Sequence, residues 1–249
     1  MITLKRVTLV GLLVFISVSM VLGQSASTTR TTSAAQPAPS SEISVEESYL
    51  QDVVERMIIQ EQIRAESRDM KFVALRYIED AINRGNTGPD IQSALEYLSM
   101  EGVMNQAREN GRLVNNFPDV RTVAVAYLGE LGTPEARDTL MKVVIADGEP
   151  MVLTEAIKSL AKIGIDDNGE TSEAISWIVR RFDVLNPDNL LALSALDAFE
   201  ILAQKNGGRI RDPNTIQTIM RIVNGPYIRP VKDRARGLID QMRRAGSGS

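Results

Sequence analysis

The sequence predicts an all-α fold, an α-solenoid of stacked antiparallel helical hairpins, and three observations predict it. A helical phrase recurs. Val120-Arg121 with Ala124 and Leu128-Gly129-x-Leu131-Gly132 returns as Val152 with Ala156 and Leu160-Ala161-x-Ile163-Gly164, and weaker echoes follow at Leu191 and Val231. The small residue of each copy, Ala124, Ala156, Ala195 and Ala235, follows the previous one by 32, 39 and 40 residues. Recurrence at roughly 30 to 40 residues, with apolar spacing of three and four, marks helical repeats. Finally, aromatic residues make up only 4% of a chain that is 43% hydrophobic. The apolar content is therefore mostly Ala, Leu, Ile and Val, with a bias toward helix over strand.

Taken in order, Met1 to Gly23 has the form of a secretory signal. Lys5 and Arg6 precede a 16-residue apolar run, Val7 to Leu22, and Val21 and Gly23 are small enough to flank a cleavage point after Gly23. The rival reading is an uncleaved membrane anchor, for which the run is short against the ~20 residues of a span. Residues 24–43 form a tether rich in Ser, Thr, Ala and Pro, too polar to offset the entropy of ordering it.

Residues 44–116 are expected to form a divergent N-terminal helical cap. Ser44 and Glu47 have capping-box spacing. The stripe Leu50, Val53, Val54, Met57 and Ile58 is expected to face the core. Met70 to Ile82 continues in helical spacing, Gly85-Asn-Thr-Gly-Pro89 breaks the chain, and Ile91, Leu95 and Leu98 start a return helix. The repeats proper occupy 117–244. Prolines at 118, 134, 150, 187, 213, 226 and 230 punctuate the turns, and Thr133-Pro134 and Asp212-Pro213 pair a capping residue with proline at the first helical position. Helices are expected at about 119–131, 135–147, 151–164, 172–184, 189–205, 214–224 and 230–244. The alanines let helices approach closely, with Leu128, Leu160, Ile201 and Leu238 filling the seam. Trp177 and Phe182 are read as core. Residues 245–249 are set aside as a flexible tail.

The copies at 120–132 and 152–164 resemble HEAT repeats, specifically the short HEAT-like type described in phycobilisome lyases. Leu153 stands where that family commonly has arginine, and the third copy ends in Ile201-Leu202 without the glycine. The resemblance implies a concave protein-binding face and carries no activity.

The chain has no cysteine and no histidine. Disulfides, thiolate nucleophiles, cysteine zinc sites, histidine metal ligands and Ser-His-Asp triads are excluded. No catalytic residue, metal ligand or cofactor is expected. Ser159-Leu-Ala-Lys162 matches a penicillin-binding signature, but its companion elements are missing and it lies inside the recurring phrase. Asp166-Asp-Asn-Gly-Glu170 lacks the glycine and glutamate spacing of a calcium loop and reads as a helix-connecting turn.

Charge is uneven. Residues 42–204 hold 15 basic and 29 acidic side chains, whereas 205–249 hold 10 basic and 3 acidic. The basic end marks Arg209, Arg211, Arg221, Arg229, Lys232, Arg234 and Arg236 as candidate partner-binding residues. They would dock an acidic protein or an anionic envelope polymer, or attract the acidic end of a second copy in a salt-sensitive way. Nucleic acid fits an exported, acidic body poorly, and membrane attachment is expected only if the first segment stays uncleaved. The leading expectation is an exported, non-catalytic scaffold, periplasmic or extracellular, that binds a protein. The alternatives are a binder of an anionic envelope component and an enzyme built on carboxylates and lysine.

Overall fold

The computed structural model describes residues 45–184, 187–207, 210 and 212–247. The signal segment, the tether and the Ser44 cap lie outside them. Among the described residues ten helices follow one another: α1 (Val45–Arg64), α2 (Arg68–Asn83), α3 (Pro89–Ser99), α4 (Pro118–Leu131), α5 (Pro134–Ala146), α6 (Pro150–Ile163), α7 (Glu170–Phe182), α8 (Asn189–Lys205), α9 (Pro213–Asn224) and α10 (Arg229–Ser247). The fold is an all-α solenoid. From Pro118 onward the helices begin within two residues of the expected starts. α10 runs on to Ser247, into the stretch set aside as a tail.

The chain chemistry explains these limits. Proline opens α3, α4, α5, α6 and α9, where its missing N–H is one of the unpaired donors anyway. Thr133, Asp188 and Asp212 each accept from backbone N–H groups of the first turn they precede. Gly132 and Gly164 end α4 and α6 at φ 67° and 79°, a left-handed conformation that costs glycine nothing.

Two layers result. In the first, α2 packs on α4, α4 on α6, α6 on α8 and α8 on α10; in the second, α3 packs on α5, α5 on α7 and α7 on α9. The register of the first layer is regular. Ala124, Ala156, Ala195 and Ala235 are each the seventh residue of their helix, and all four are fully buried. Ala74 holds the same place in α2 and is equally buried. The second helix is therefore a fifth copy, displaced by 50 residues from Ala124 because an 18-residue linker, 100–117, follows α3. Close approach is needed at this seam: a Cβ on Gly129 would stand 2.7 Å from the Cβ of Ser159. Leu128, Leu160 and Leu238 fill the seam as expected, but Ile201 does not. It is exposed, and Phe199, four residues after Ala195 as Leu128 is after Ala124, takes its place.

The N-terminal region departs from expectation twice. Its linker carries a small antiparallel hairpin, β1 (Arg108–Glu109) with β2 (Arg112–Leu113), closed by Asn110 at φ 49° and Gly111 at φ 81°. The turn is the Asn-Gly type that matches strand twist. In α1 the stripe expected inside is mostly outside, for Leu50, Val54 and Met57 are exposed while Ile59 and Ile63 meet the core. The helix has two apolar faces, and the one with the longer run is the one left facing solvent.

Tyrosines clip the layers together. Burial, and then the bond to Glu79, push the Tyr127 hydroxyl up to about 12, and burial raises Tyr227 and Tyr97 as well. A phenol that ionises later in the folded state than its ordinary value of 10.0 loses its proton first in the unfolded chain. Stability should therefore fall as pH rises past that value. In an alkaline titration, phenolate absorbance should rise together with loss of helical circular dichroism. Full phenolate at intact helicity would contradict this.

Candidate interaction face and its supporting network

The network that fixes the stack begins at the fourth residue of the first-layer helices. That residue is Lys71 in α2 and Arg121 in α4, and both are buried. Arg121 Nε donates to Asp147 at 2.7 Å, and its other nitrogens reach the Glu101 carbonyl at 3.1 Å and Asn116 Oδ1 at 2.8 Å. Asp147 follows α5 and in turn accepts from the Glu149 N–H at 2.9 Å. Lys71 Nζ sits 2.6 Å from Glu101 Oε1, just beyond α3, and donates to the Ile63 carbonyl at 2.9 Å. Each cation thus ties a first-layer helix to the end of the following second-layer helix. Burial holds the Glu101 carboxyl above the ordinary range even though Lys71 pulls it down. In α6 and α8 the fourth residue is Leu153 and Ala192, and the cation is gone.

The outer face of the second layer has a different character. Its eighth residues are Met141 in α5, Trp177 in α7 and Met220 in α9. Trp177 and Met220 are exposed, Met141 is half-buried, and Ile145 and Ile216 add further exposed apolar surface. Between α5 and α7 lies a groove of about 490 Å³ floored by Met141, Ile145, Ala174 and Trp177, with Glu170 and Glu173 at one end and Arg180 at the other. The indole is held from behind by the Arg181 guanidinium, 5.5 Å from the ring centre, which also donates to the Asp147 carbonyl at 3.2 Å. Arg137 fixes the acidic end through Glu170 at 2.7 Å. Trp177 is therefore a surface residue and not core. The three-and-four spacing of α7 gave it no distinguishing mark, although its neighbours Ser176 and Ile178 are the buried ones.

The basic residues expected to bind a partner are not gathered on one free surface. Arg234 bonds to Asp197 at 2.9 Å and also to Glu200, both on α8, and Arg221 bonds to Asp183 at 3.0 Å. These charges fasten α10 to α8 and α9 to the end of α7. Arg229 is exposed, with Asp233 3.5 Å away, Arg236 is exposed beside the same Asp233, and Lys232 is half-buried. Arg209 and Arg211 lie outside the described residues.

The two motifs weighed for chemistry serve structure. Ser159 Oγ is buried and donates to the Val125 carbonyl, while Lys162 is exposed and pairs with Glu130. Asp166 accepts from the Thr171 and Ser172 N–H groups at 2.9 and 3.1 Å and from the Ser172 hydroxyl, which anchors the start of α7. Among the described residues no helix is long and apolar enough to cross a membrane, and no cluster of acidic side chains could hold a metal ion.

Residues 111–197 match the family model of HEAT repeats. The match runs from the hairpin through α4–α7 into α8. No curated protein and no solved structure matches the chain. HEAT repeats typically form helical scaffolds that mediate protein interactions.

Proposed function

Because the chain carries HEAT repeats, we propose that it is an exported scaffold that holds a protein partner against the outer face of α5, α7 and α9. The observation that carries this reading is the row of Met141, Trp177 and Met220, one from each successive helix at the same position, along an exposed face. Trp and Met are enriched at the buried centres of protein interfaces, and large exposed apolar patches mark such surfaces. Packed helices lie roughly 10 Å apart. A partner helix crossing this face would meet the row with apolar residues about two turns apart. Glu170 and Glu173 at one end of the groove favour a basic residue there, and Arg180 an acidic one at the other. Export rests on the signal-like segment Met1 to Gly23, and a mature N-terminus at Gln24, read by mass spectrometry, would support it.

The expected result of mutating the face is loss of binding without loss of fold. A photoactivatable residue placed at 141 or 220 should capture one and the same protein from the native envelope. The same residue at Lys158, exposed on α6, should not. Trp177→Glu should abolish the capture while helicity and melting stay close to those of the parent, since surface changes cost little stability. Equal capture from position 158, or capture undiminished by Trp177→Glu, would sink the reading.

A further inference from the structure

The linker 100–117 stands apart from the other connections. The remaining helix joins take seven residues or fewer, while this one takes 18 and builds a hairpin. Long ordered connections of this kind usually serve a function. This one is firmly built at its base. Asn115, buried, donates to the Asn105 carbonyl at 2.7 Å and accepts from the Ala107 N–H at 2.8 Å. Gly102 admits the returning strand so closely that a Cβ there would lie 2.5 Å from the Asn115 carbonyl oxygen.

Between this hairpin, the α1–α2 connection and α3 lies a pocket of about 410 Å³, a size suited to a small molecule. Glu101 is among the residues that line it, and its side chain is 3% exposed. Its Oε1 is taken by Lys71 and approached by Asn115 at 3.5 Å, but its Oε2 is buried and has no partner among the described residues. A buried carboxylate oxygen left unpaired is costly, and its missing donor has to come from outside this set. The remaining charges cancel: Lys71 answers Glu101, and at the mouth Arg64 and Arg108 stand against Glu66 and Glu109. A ligand with net charge gains nothing from such a rim. A neutral molecule that both donates and accepts can use the carboxylate and the guanidinium groups together. Tyr97, half-buried in the wall, offers an apolar ring for the faces of such a molecule.

We propose that this pocket binds a neutral polyhydroxylic ligand of monosaccharide size, one of whose hydroxyls donates to Glu101 Oε2. The site is separate from the α5–α7–α9 face and does not depend on it. The test is titration of the full chain, observed by NMR at the Tyr97 ring, with glucose and N-acetylglucosamine, each as the monomer and as the β-linked tetramer. At least one probe should give a saturable shift. Monomer and tetramer binding alike points to a free sugar, and tighter tetramer binding points to a glycan chain. Val114→Trp, at the exposed mouth, should abolish the shift with melting unchanged. Glu101→Gln should weaken it about tenfold, the worth of one hydrogen bond to a charged group. No saturable shift with any of the four probes, or unchanged binding in Val114→Trp, would overturn the proposal and leave water as the partner of Oε2.

Discussion

Replacing Ala156 by aspartate is expected to unfold the stack. Ala156 is the seventh residue of α6, fully buried, in the helix that packs on α4 on one side and α8 on the other. Its surroundings are apolar: Val125, Leu128, Leu160 and Leu196 are all fully buried. A carboxylate there has neither room nor a donor. An unpaired charge in such a place costs roughly 4 kcal/mol or more, a large part of the total stability of a domain. Each hairpin leans on its neighbours, so the damage should spread along the stack rather than stay in α6. Urea denaturation should show a much lowered midpoint, or a chain with little helix at the outset. Lys158→Gln, on the exposed side of the same helix, should shift stability by no more than about 0.5 kcal/mol. Comparable stability of the two variants would mean that the alanine register does not hold the layer.

Arg121→Met is expected to cost about 3 to 5 kcal/mol, because it leaves Asp147 buried without its cation. The loss exceeds that of one ion pair. The Glu101 carbonyl and Asn116 Oδ1 lose donors in the same step, and both lie in the long linker that carries the hairpin. Hydrogen exchange should therefore quicken first around residues 100–117 and the turn at Asp147. Adding Asp147→Asn should recover roughly 1 kcal/mol or more, since the two groups act as a unit. The exposed pair Lys162–Glu130 supplies the contrast, and its removal should cost under about 1 kcal/mol. Equal effects at the two sites would argue that Arg121 is not holding the linker.

The parts of this fold readable from sequence were those written in local chemistry. Proline at the first turn, Thr133 and Asp212 before it, and Gly132 and Gly164 past the end mark helix limits because each satisfies a backbone need within a few residues. The alanines were readable for a related reason, since close packing of helices tolerates little else at that place. What escaped depends on distant partners. Ala74 has the same neighbours as the other four alanines, but the long linker breaks the period, and lysine at position 71 disguises the arginine place. The hairpin did carry a signal, Asn110-Gly111, lost beside a strong helical pattern. Trp177 and the exposed side of α1 could not be assigned from spacing, because a helix with apolar residues on two sides does not say which side meets its neighbours. The basic C-terminal end was legible as charge, but not as charge already spent: Arg221 and Arg234 find acids 38 and 34 to 37 residues earlier.

The two layers are joined by different materials. Hydrocarbon seals α4, α6 and α8, while hydroxyls stitch α3, α5, α7 and α9: Thr139 donates to Glu96 at 2.9 Å, Ser176 and Thr215 bond at 3.1 Å, and buried Thr218 has no partner for its hydroxyl among the described residues. Parting the first seam exposes oil to water along its whole length, whereas a hydroxyl can exchange one bond for another. The molecule is thus stiff along one edge and yielding along the other, like a bound book. Guests that press between its pages flex the free margin and leave the spine unbent.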